Sequence, residues 1–272
     1  MIRPYLAIVS ARFRMLLQYR AAAIAGLWTQ ICFGFVLIMI YEAFYLSSAG
    51  PPPIAFSQVA SYVWLGQALL AMMPWNADPE LRAMVRSGAV AYELCRPIDL
   101  YSLWFARALA WRTAPTVLRA VPMVVFAMVV LPWLGLGEWR LAPPASLAAG
   151  LGFAAALCAA IALACAISTL VHASLLWTLA ADGVVMLTTT AVSFLSGMIV
   201  PLPLFPDRVR AVLEWLPFAG LVDSPYRIYI GDLPPGELAI VLGRQLAWTL
   251  VLVVLGRWLI ARGVRRIVVQ GG

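Results

Sequence analysis

Long apolar segments constrain this chain more than any other feature of its sequence. A helix that crosses the hydrocarbon core of a bilayer needs about 20 mostly apolar residues. Six such segments run over residues 21–45, 54–75, 102–134, 144–171, 174–200 and 237–260. The composition agrees, because 64% of the residues are hydrophobic and 11% are charged, whereas a soluble domain is about 45–50% apolar and about 25% charged. We therefore predict an all-α membrane protein with six transmembrane helices.

The distribution of arginine predicts how the chain is oriented. All 19 basic residues are arginines, so no lysine is available for a phosphate-binding loop or a Schiff base. Arginines are concentrated before the first segment, between the second and third, and after the sixth. Because basic loops stay on the cytoplasmic side, we expect both termini and residues 76–101 in the cytoplasm. The first apolar run is too long for a signal peptide, whose apolar region has about 7–15 residues, so we expect it to be retained.

Residues 1–20 have the spacing of an amphipathic helix. Arg3 and Arg14 fall on the face opposite to one apolar stripe. The stripe consists of Ile2, Tyr5, Leu6, Val9, Phe13, Leu16 and Leu17. This pattern predicts a helix that lies in the membrane interface, and the alternative is a helical lead-in to the first span.

A second short helix is predicted over residues 78–92, between the second and third spans. Asp78 suits the N-cap, Pro79 the first helical position and Glu80 the positive end of the helix dipole. The apolar stripe comprises Leu81, Met84, Val85, Ala89 and Tyr92, and the charged residues away from it are Arg82, Arg86 and Glu93. Two adjacent spans can be joined by far fewer residues, so we expect this helix to contact a cytoplasmic partner. The alternative is a solvated connector on the membrane surface.

Residues 201–231 are too apolar for a free loop. Pro201, Pro203 and Pro206 end the fifth segment, Asp207 can cap a short helix, and Pro217 breaks it. Irregular backbone at membrane depth must be protected by protein. We therefore predict a re-entrant pair of short helices in the outer leaflet, with an amphipathic surface hairpin as the alternative.

Asp182 is the charged residue within the fifth predicted span. Charged groups in spans mark functional sites or pair with one another, and we expect Asp182 either to pair with Arg112 or Arg119 or to line a polar vestibule. The residues that could line a pathway with it are Thr188, Thr189, Thr190, Ser193 and Phe194. Threonines in a span can instead bond to their own helix.

Signs of catalysis or metal binding are weak in this sequence. The chain has four cysteines and one histidine, without the spacing of a metal site. His172 is expected in a tight turn with Ser174. We therefore predict no catalytic residue, no bound metal or cofactor, and no nucleic-acid partner.

Several stretches resemble one family of transport proteins. "MVRSGAVAYELCRPID" is similar to a Gly…Leu-x-x-Pro pattern through Gly88, Leu94 and Pro97. "SFLSGMIVPLPLFPDRVRAVLEWLPF" is similar to a Leu-Ser-Gly…Pro…Pro…Leu-Pro signature after the fifth span. Together with the helix before the first span and the basic end of the sixth, this order resembles the permease subunit of an ABC-2 type exporter. "LCRPIDLYSLWFARALAW" further resembles an uncharacterised bacterial subgroup with a second, different permease and a separate ATPase.

The resemblance implies a type-2 exporter fold in the bacterial inner membrane. ATP and magnesium would bind to a separate ATPase subunit, and residues 78–92 would be the coupling helix that docks on it. The coupling residues would be Leu81, Arg82, Met84, Val85, Arg86, Gly88, Tyr92 and Glu93. Spans one, two and five of two protomers would line a route for a lipid-like or amphipathic substrate. The second permease would be a different chain, otherwise a second copy. The alternatives are a flippase for lipid-linked polysaccharide, or a membrane enzyme or scaffold that transports nothing.

Overall fold

A computed structural model describes residues 3–47, 50, 52–178 and 182–266, and these residues form helices and turns without a strand. The all-α class is therefore confirmed. The α-helices are α1 Arg3–Leu16, α2 Arg20–Ser47, α3 Phe56–Ala68, α4 Pro79–Arg86, α5 Val90–Leu94, α6 Leu100–Val125, α7 Leu131–Trp133, α8 Leu147–Ser174, α9 Asp182–Leu195, α10 Asp207–Trp215, α11 Asp223–Ile230 and α12 Leu238–Gly263. Ile2 of the predicted N-terminal helix, residues 179–181 of the fifth predicted span and residues 267–272 lie outside the described residues.

Four helices are long and apolar enough to cross a membrane. They are Arg20–Ser47, Leu100–Trp133, Leu147–Ser174 and Leu238–Gly263, where the second joins α6 and α7 through a π-helical turn. Their ends lie within three residues of four predicted segments. Local signals explain two of the starts, because Asp99 and Ser146 cap α6 and α8 by accepting the backbone N–H groups of Ser102 and Ala149.

The second predicted segment forms a short and deeply buried helix. α3 has 13 residues, which span about 20 Å at about 1.5 Å per residue, less than the hydrocarbon core of about 30 Å. The chain continues as a 3-10 turn over Leu70–Met72 and becomes extended at Met73. Pro74 explains this end, because the residue before a proline is driven out of the helical region. Trp64 of α3 is fully buried at the centre of the core.

The fifth predicted segment is also shorter than expected. α8 runs through His172 to Ser174, so the predicted tight turn at these residues is wrong: neither glycine nor proline interrupts the helix there. α9 has 14 residues and ends before Gly197, whose φ of +85° is left-handed. The four long helices therefore support four of the six predicted spans. That α3 and α9 form the other two spans remains a prediction.

Short helices gather at the two ends of the bundle. At one end, which we call the α4 end, α1 packs on α6 through Val9, Phe13 and Leu16 against Ala110 and Ala114. At the other end, the α11 end, α10 and α11 occupy the segment predicted as a re-entrant pair. There the rings of Tyr226 on α11 and Tyr62 on α3 lie 5.1 Å apart, nearly perpendicular to each other.

Candidate functional site

α4 begins as its sequence predicts and ends earlier. Asp78 accepts the backbone N–H of Glu80 at the N-cap, and Pro79 occupies the first turn. The single helix predicted over 78–92 is wrong, because Gly88 adopts φ +75° and the chain restarts as the short α5. A left-handed residue cannot continue a right-handed helix, and glycine adopts that conformation at little cost.

Ion pairs fasten the start of α4 to α1 and α6. Arg12 of α1 contacts Asp78 at 3.2 Å and also pairs with Glu80. Arg107 of α6 lies 3.6 Å from Asp78 and 3.1 Å from Glu80. Asp78 and Arg107 are almost completely buried, where charges interact more strongly than in water. α4 therefore cannot shift without disturbing both neighbouring helices.

Two predicted coupling residues face the interior of the protein. Glu93 accepts hydrogen bonds from Arg107 Nη1 at 2.7 Å and from Trp104 Nε1 at 2.8 Å, and it is 3% exposed. Leu81 is fully buried in the cluster that includes Trp104. The expectation that Glu93 and Leu81 offer surface to a partner is thus wrong. They anchor α5 and α4 because a buried carboxylate and a buried leucine need partners within the chain.

The other predicted coupling residues line the outer side of these helices. Arg86 is exposed, and Tyr92 is 77% exposed, which is unusual for an aromatic side chain without an external partner. Met84 and Val85 are half-buried, and Met84 Sδ lies 3.9 Å from Arg107 Nη1. Gly88 is half-buried at the break between α4 and α5. The surface available to another protein therefore centres on Arg86 and Tyr92.

Asp182 joins α4 to α9. Its Oδ1 lies 2.7 Å from Arg82 Nη1, and its side chain is 67% exposed. The predicted pairing with Arg112 or Arg119 is therefore wrong. Asp182 is the first residue of α9, at the α4 end of the bundle, where a carboxylate also favours the positive end of the helix dipole.

The hydroxyl residues on α9 do not share one environment. Thr189 donates to the backbone oxygens of Trp75 and Val185, and Thr188 donates to that of Val184. Ser193 is half-buried, whereas Thr190 and Phe194 are exposed. Phe194 shares the exposed apolar surface of α9 with Met186 and Leu187. The six predicted pathway residues, Asp182 among them, thus lie on one short helix with different exposures, and their part in a pathway stays a prediction.

Sequence reasoning missed Arg112 as an organising residue. This side chain is 2% exposed, and it donates to Ser168 Oγ at 3.0 Å, to the Met73 oxygen at 2.6 Å and to two oxygens of Asn76. It thereby fixes the connector between α3 and α4 to α6 and α8. The available signal was an arginine in an apolar run, which must find polar partners.

His172 completes the same cluster. Its Nε2 accepts the backbone N–H of Asp78 at 2.9 Å, so this nitrogen carries no proton. We call the group of Arg12, Asp78, Glu80, Arg107, Arg112 and His172 the polar hub. The polar hub connects α4 with α1, α6 and α8, and the Arg82–Asp182 pair adds α9.

A second buried cluster lies at the α11 end. Asp223 is fully buried, and its Oδ1 accepts the Tyr62 hydroxyl at 3.1 Å and the Leu202 N–H at 3.0 Å. Arg227 lies 3.4 Å from Asp223 Oδ2, 2.6 Å from Glu214 and 2.5 Å from Asp232. This cluster fixes α10 and α11 to each other and to α3. Within the described ranges, no three His, Cys, Asp or Glu side chains are grouped as metal ligands.

Comparison with known protein families gives a match that covers most of the chain. A family model described as "ABC-2 family transporter protein" matches residues 35–271, which start in the middle of α2 and include the α11 end and every residue of the polar hub except Arg12. The comparison with curated proteins gives no match.

Proposed function

Because the chain belongs to the ABC-2 transporter family, we propose that it is the membrane permease subunit of an ATP-binding cassette exporter, driven by a separate ATPase. The observation that carries this proposal is α4, a short charged helix at the end of the bundle. It presents Arg86 outward and is tied to α1 and α6 by the ion pairs of the buried Asp78 with Arg12 and Arg107. A helix with this placement receives force from outside and transmits it inward.

The proposed orientation puts the α4 end in the cytoplasm. Residues 1–20, 76–107 and 257–266 carry most of the 19 arginines, and the positive-inside rule keeps such segments on the cytoplasmic side. Both termini would then be cytoplasmic, in the inner membrane of a bacterium. This orientation brings α4 to the compartment that holds ATP.

Force transmission follows from the contacts of α4. Closure of an ATPase dimer on ATP and magnesium would displace α4, and the Arg12 and Arg107 ion pairs would carry the displacement to α1 and α6. The Arg82–Asp182 pair would carry it to α9. Because packed helices move as rigid bodies rather than deform continuously, the bundle would alternate between inward-facing and outward-facing states.

The substrate route would run along α9 and the apolar surface of α2. Met186, Leu187 and Phe194 of α9 are exposed together with Phe33 and Phe44 of α2, an extent of apolar surface that needs lipid or a second subunit to cover it. A route with apolar and hydroxyl side chains suits a lipid-like or amphipathic substrate. The second subunit would be a different permease, as the subgroup resemblance implies.

Co-purification tests both the exporter proposal and the assignment of α4. The tagged chain is purified from its native membranes in mild detergent, and its partners are identified by mass spectrometry. We expect an ATPase with a phosphate-binding lysine, and a second permease in the same eluate. In the double variant Arg86→Ala with Tyr92→Ala, we expect at least about tenfold less ATPase, because exposed aromatic and arginine side chains dominate the binding energy of many interfaces.

A matched control removes the same chemistry at the other end of the bundle. Arg208 and Trp215 of α10 are exposed, and their double alanine variant should retain the ATPase at the wild-type level. If wild type brings down no ATPase, the exporter proposal fails. If the ATPase is retained equally in all three proteins, only the docking surface on α4 is wrong.

A further inference from the structure

Arg119 of α6 has no polar partner in the part of the chain that the structure describes. No hydrogen bond or ion pair joins it to any of the described residues, which include all twelve acidic residues, and its Nε is buried without a partner. Its guanidinium lies against Gly26 of α2, where an added Cβ would come within 2.5 Å of the Arg119 Cζ. An unpaired charge inside an apolar helix is costly and points to a ligand.

A cavity of about 450 Å³ opens beside this guanidinium. Its walls are formed by α1, the start of α2, the start of α4 and α6, and the apolar lining includes Leu16, Ala23, Trp111 and Leu118. Met15 and Tyr19, which also line it, are exposed. The cavity is thus apolar along most of its wall and open at the junction of α1 and α2.

Arg119 is the excess charge at the cavity once Arg107, which pairs with the two lining carboxylates from outside the lining, is counted. Asp78 and Glu80 lie at its polar end, and both carboxylates are already paired with Arg12 and with Arg107. Arg119 adds a positive charge that no carboxylate neutralises. An anion bound beside Arg119 would therefore gain an ion pair without displacing an existing one.

Gln30 provides a second polar group without partners. It is 2% exposed, and neither its amide nitrogen nor its amide oxygen has a hydrogen-bond partner. Gln30 lies four residues after Gly26 and thus on the same face of α2, one turn farther from Arg20. Buried polar groups in proteins normally have hydrogen-bond partners. Gln30 of α2 and Arg119 of α6 therefore leave an unusual number of unsatisfied polar atoms where these two helices meet.

The depth of the site suits a lipid head group. Gly26 lies six residues after Arg20, which is about 9 Å along the helix axis. Ile24 and Trp28, two residues before and two residues after Gly26 on α2, expose apolar side chains that acyl chains can cover. We propose that this cavity binds a lipid with an anionic head group, whose phosphate or carboxylate contacts Arg119 and whose chains lie along α2. This proposal does not depend on the export function.

Native mass spectrometry of the purified protein tests the site. The protein is titrated with phosphatidylglycerol, with oleate as a carboxylate-headed lipid, with zwitterionic phosphatidylcholine and with glycerol phosphate, which lacks chains. We expect retention of the anionic lipids over phosphatidylcholine, and no retention of glycerol phosphate. Arg119→Gln should lower the affinity for the retained lipid at least about tenfold, as the loss of a charge-assisted contact does, and Arg119→Lys should restore part of it.

Two further variants separate the cavity from general attraction to a charged surface. Arg14→Gln removes an exposed arginine of α1 that does not line the cavity, and it should bind as wild type does. Ala22→Trp fills the cavity without removing a charge, and it should lose the lipid. Equal affinity of wild type and Arg119→Gln, or a loss in Arg14→Gln as large as that in Arg119→Gln, overturns the proposal.

Discussion

At the scale of single residues, the important charges are those that the fold pairs or buries. Arg82 and Arg86 lie on the same short helix, yet Arg82 pairs with Asp182 while Arg86 remains exposed. Glu93 has the charge of a surface residue and is buried against Trp104. The two arginines should therefore serve different steps, with Arg86 binding the partner and Arg82 transmitting its movement.

Reversal of the Arg82–Asp182 pair tests that division. Arg82→Asp and Asp182→Arg should each lower ATP hydrolysis by the assembled complex about fivefold, equivalent to the roughly 1 kcal/mol that a partly exposed ion pair can supply. The ATPase should still co-purify, because neither change touches Arg86 or Tyr92. The double variant restores the pair with opposite polarity, so hydrolysis should recover. A double variant no more active than either single one would show that the pair transmits nothing.

At the scale of elements, short helices are held by side chains from distant parts of the chain. α10 and α11 have nine and eight residues, and isolated helices of this length are marginal in water. Arg227 of α11 pairs with Glu214 of α10 and with Asp223, and Asp223 in turn accepts the Tyr62 hydroxyl of α3 and the Leu202 N–H. The helix pair over 201–231 was predictable from its prolines, whereas the acceptor for Tyr62 was not.

Removal of the Asp223 carboxylate should destabilise the α11 end. Asp223→Ala leaves the buried Leu202 N–H without an acceptor and leaves the Tyr62 hydroxyl only the Gly197 oxygen, so we expect a loss of about 2–3 kcal/mol, which lowers the thermal midpoint by roughly 5–10 °C. Thermal unfolding of the purified protein in detergent measures this. Asp223→Asn keeps an acceptor oxygen and should cost less. Asp232, which is 21% exposed, provides the comparison: if Asp232→Ala destabilises as much, burial of Asp223 is not the cause.

At the scale of the whole molecule, the polar hub makes α4 part of the helix bundle. Arg112 links the connector from α3 to α6 and α8, and Arg107 links α4 and α5 to α6. The core around Trp64 joins α3 to α2. A displacement at α4 therefore reaches most of the long helices through few intermediates.

Loss of Arg112 should release α4 from the bundle. Arg112→Met keeps the length of the side chain but leaves the Met73 and Asn76 oxygens without their donor. Local opening depends on such contacts, so hydrogen exchange of residues 73–94 should accelerate at least about tenfold, while α12 remains protected. Arg208→Gln removes an exposed arginine of α10 at the other end of the bundle and should leave exchange in 73–94 unchanged. Unchanged exchange in Arg112→Met would refute the anchoring role.

The sequence by itself determined the features that depend on neighbouring residues. The lengths of the apolar runs predicted six spans, four of which form long helices, and the cap at Asp78 predicted the start of α4, because helix formation and helix termini depend on local composition. The tertiary structure alone decided which carboxylate meets which arginine, that Glu93 turns inward, and that no described residue pairs with Arg119. These outcomes depend on where distant segments meet. Arg82 and Asp182 are 100 residues apart in the chain, so no pattern of neighbouring residues predicts that they pair.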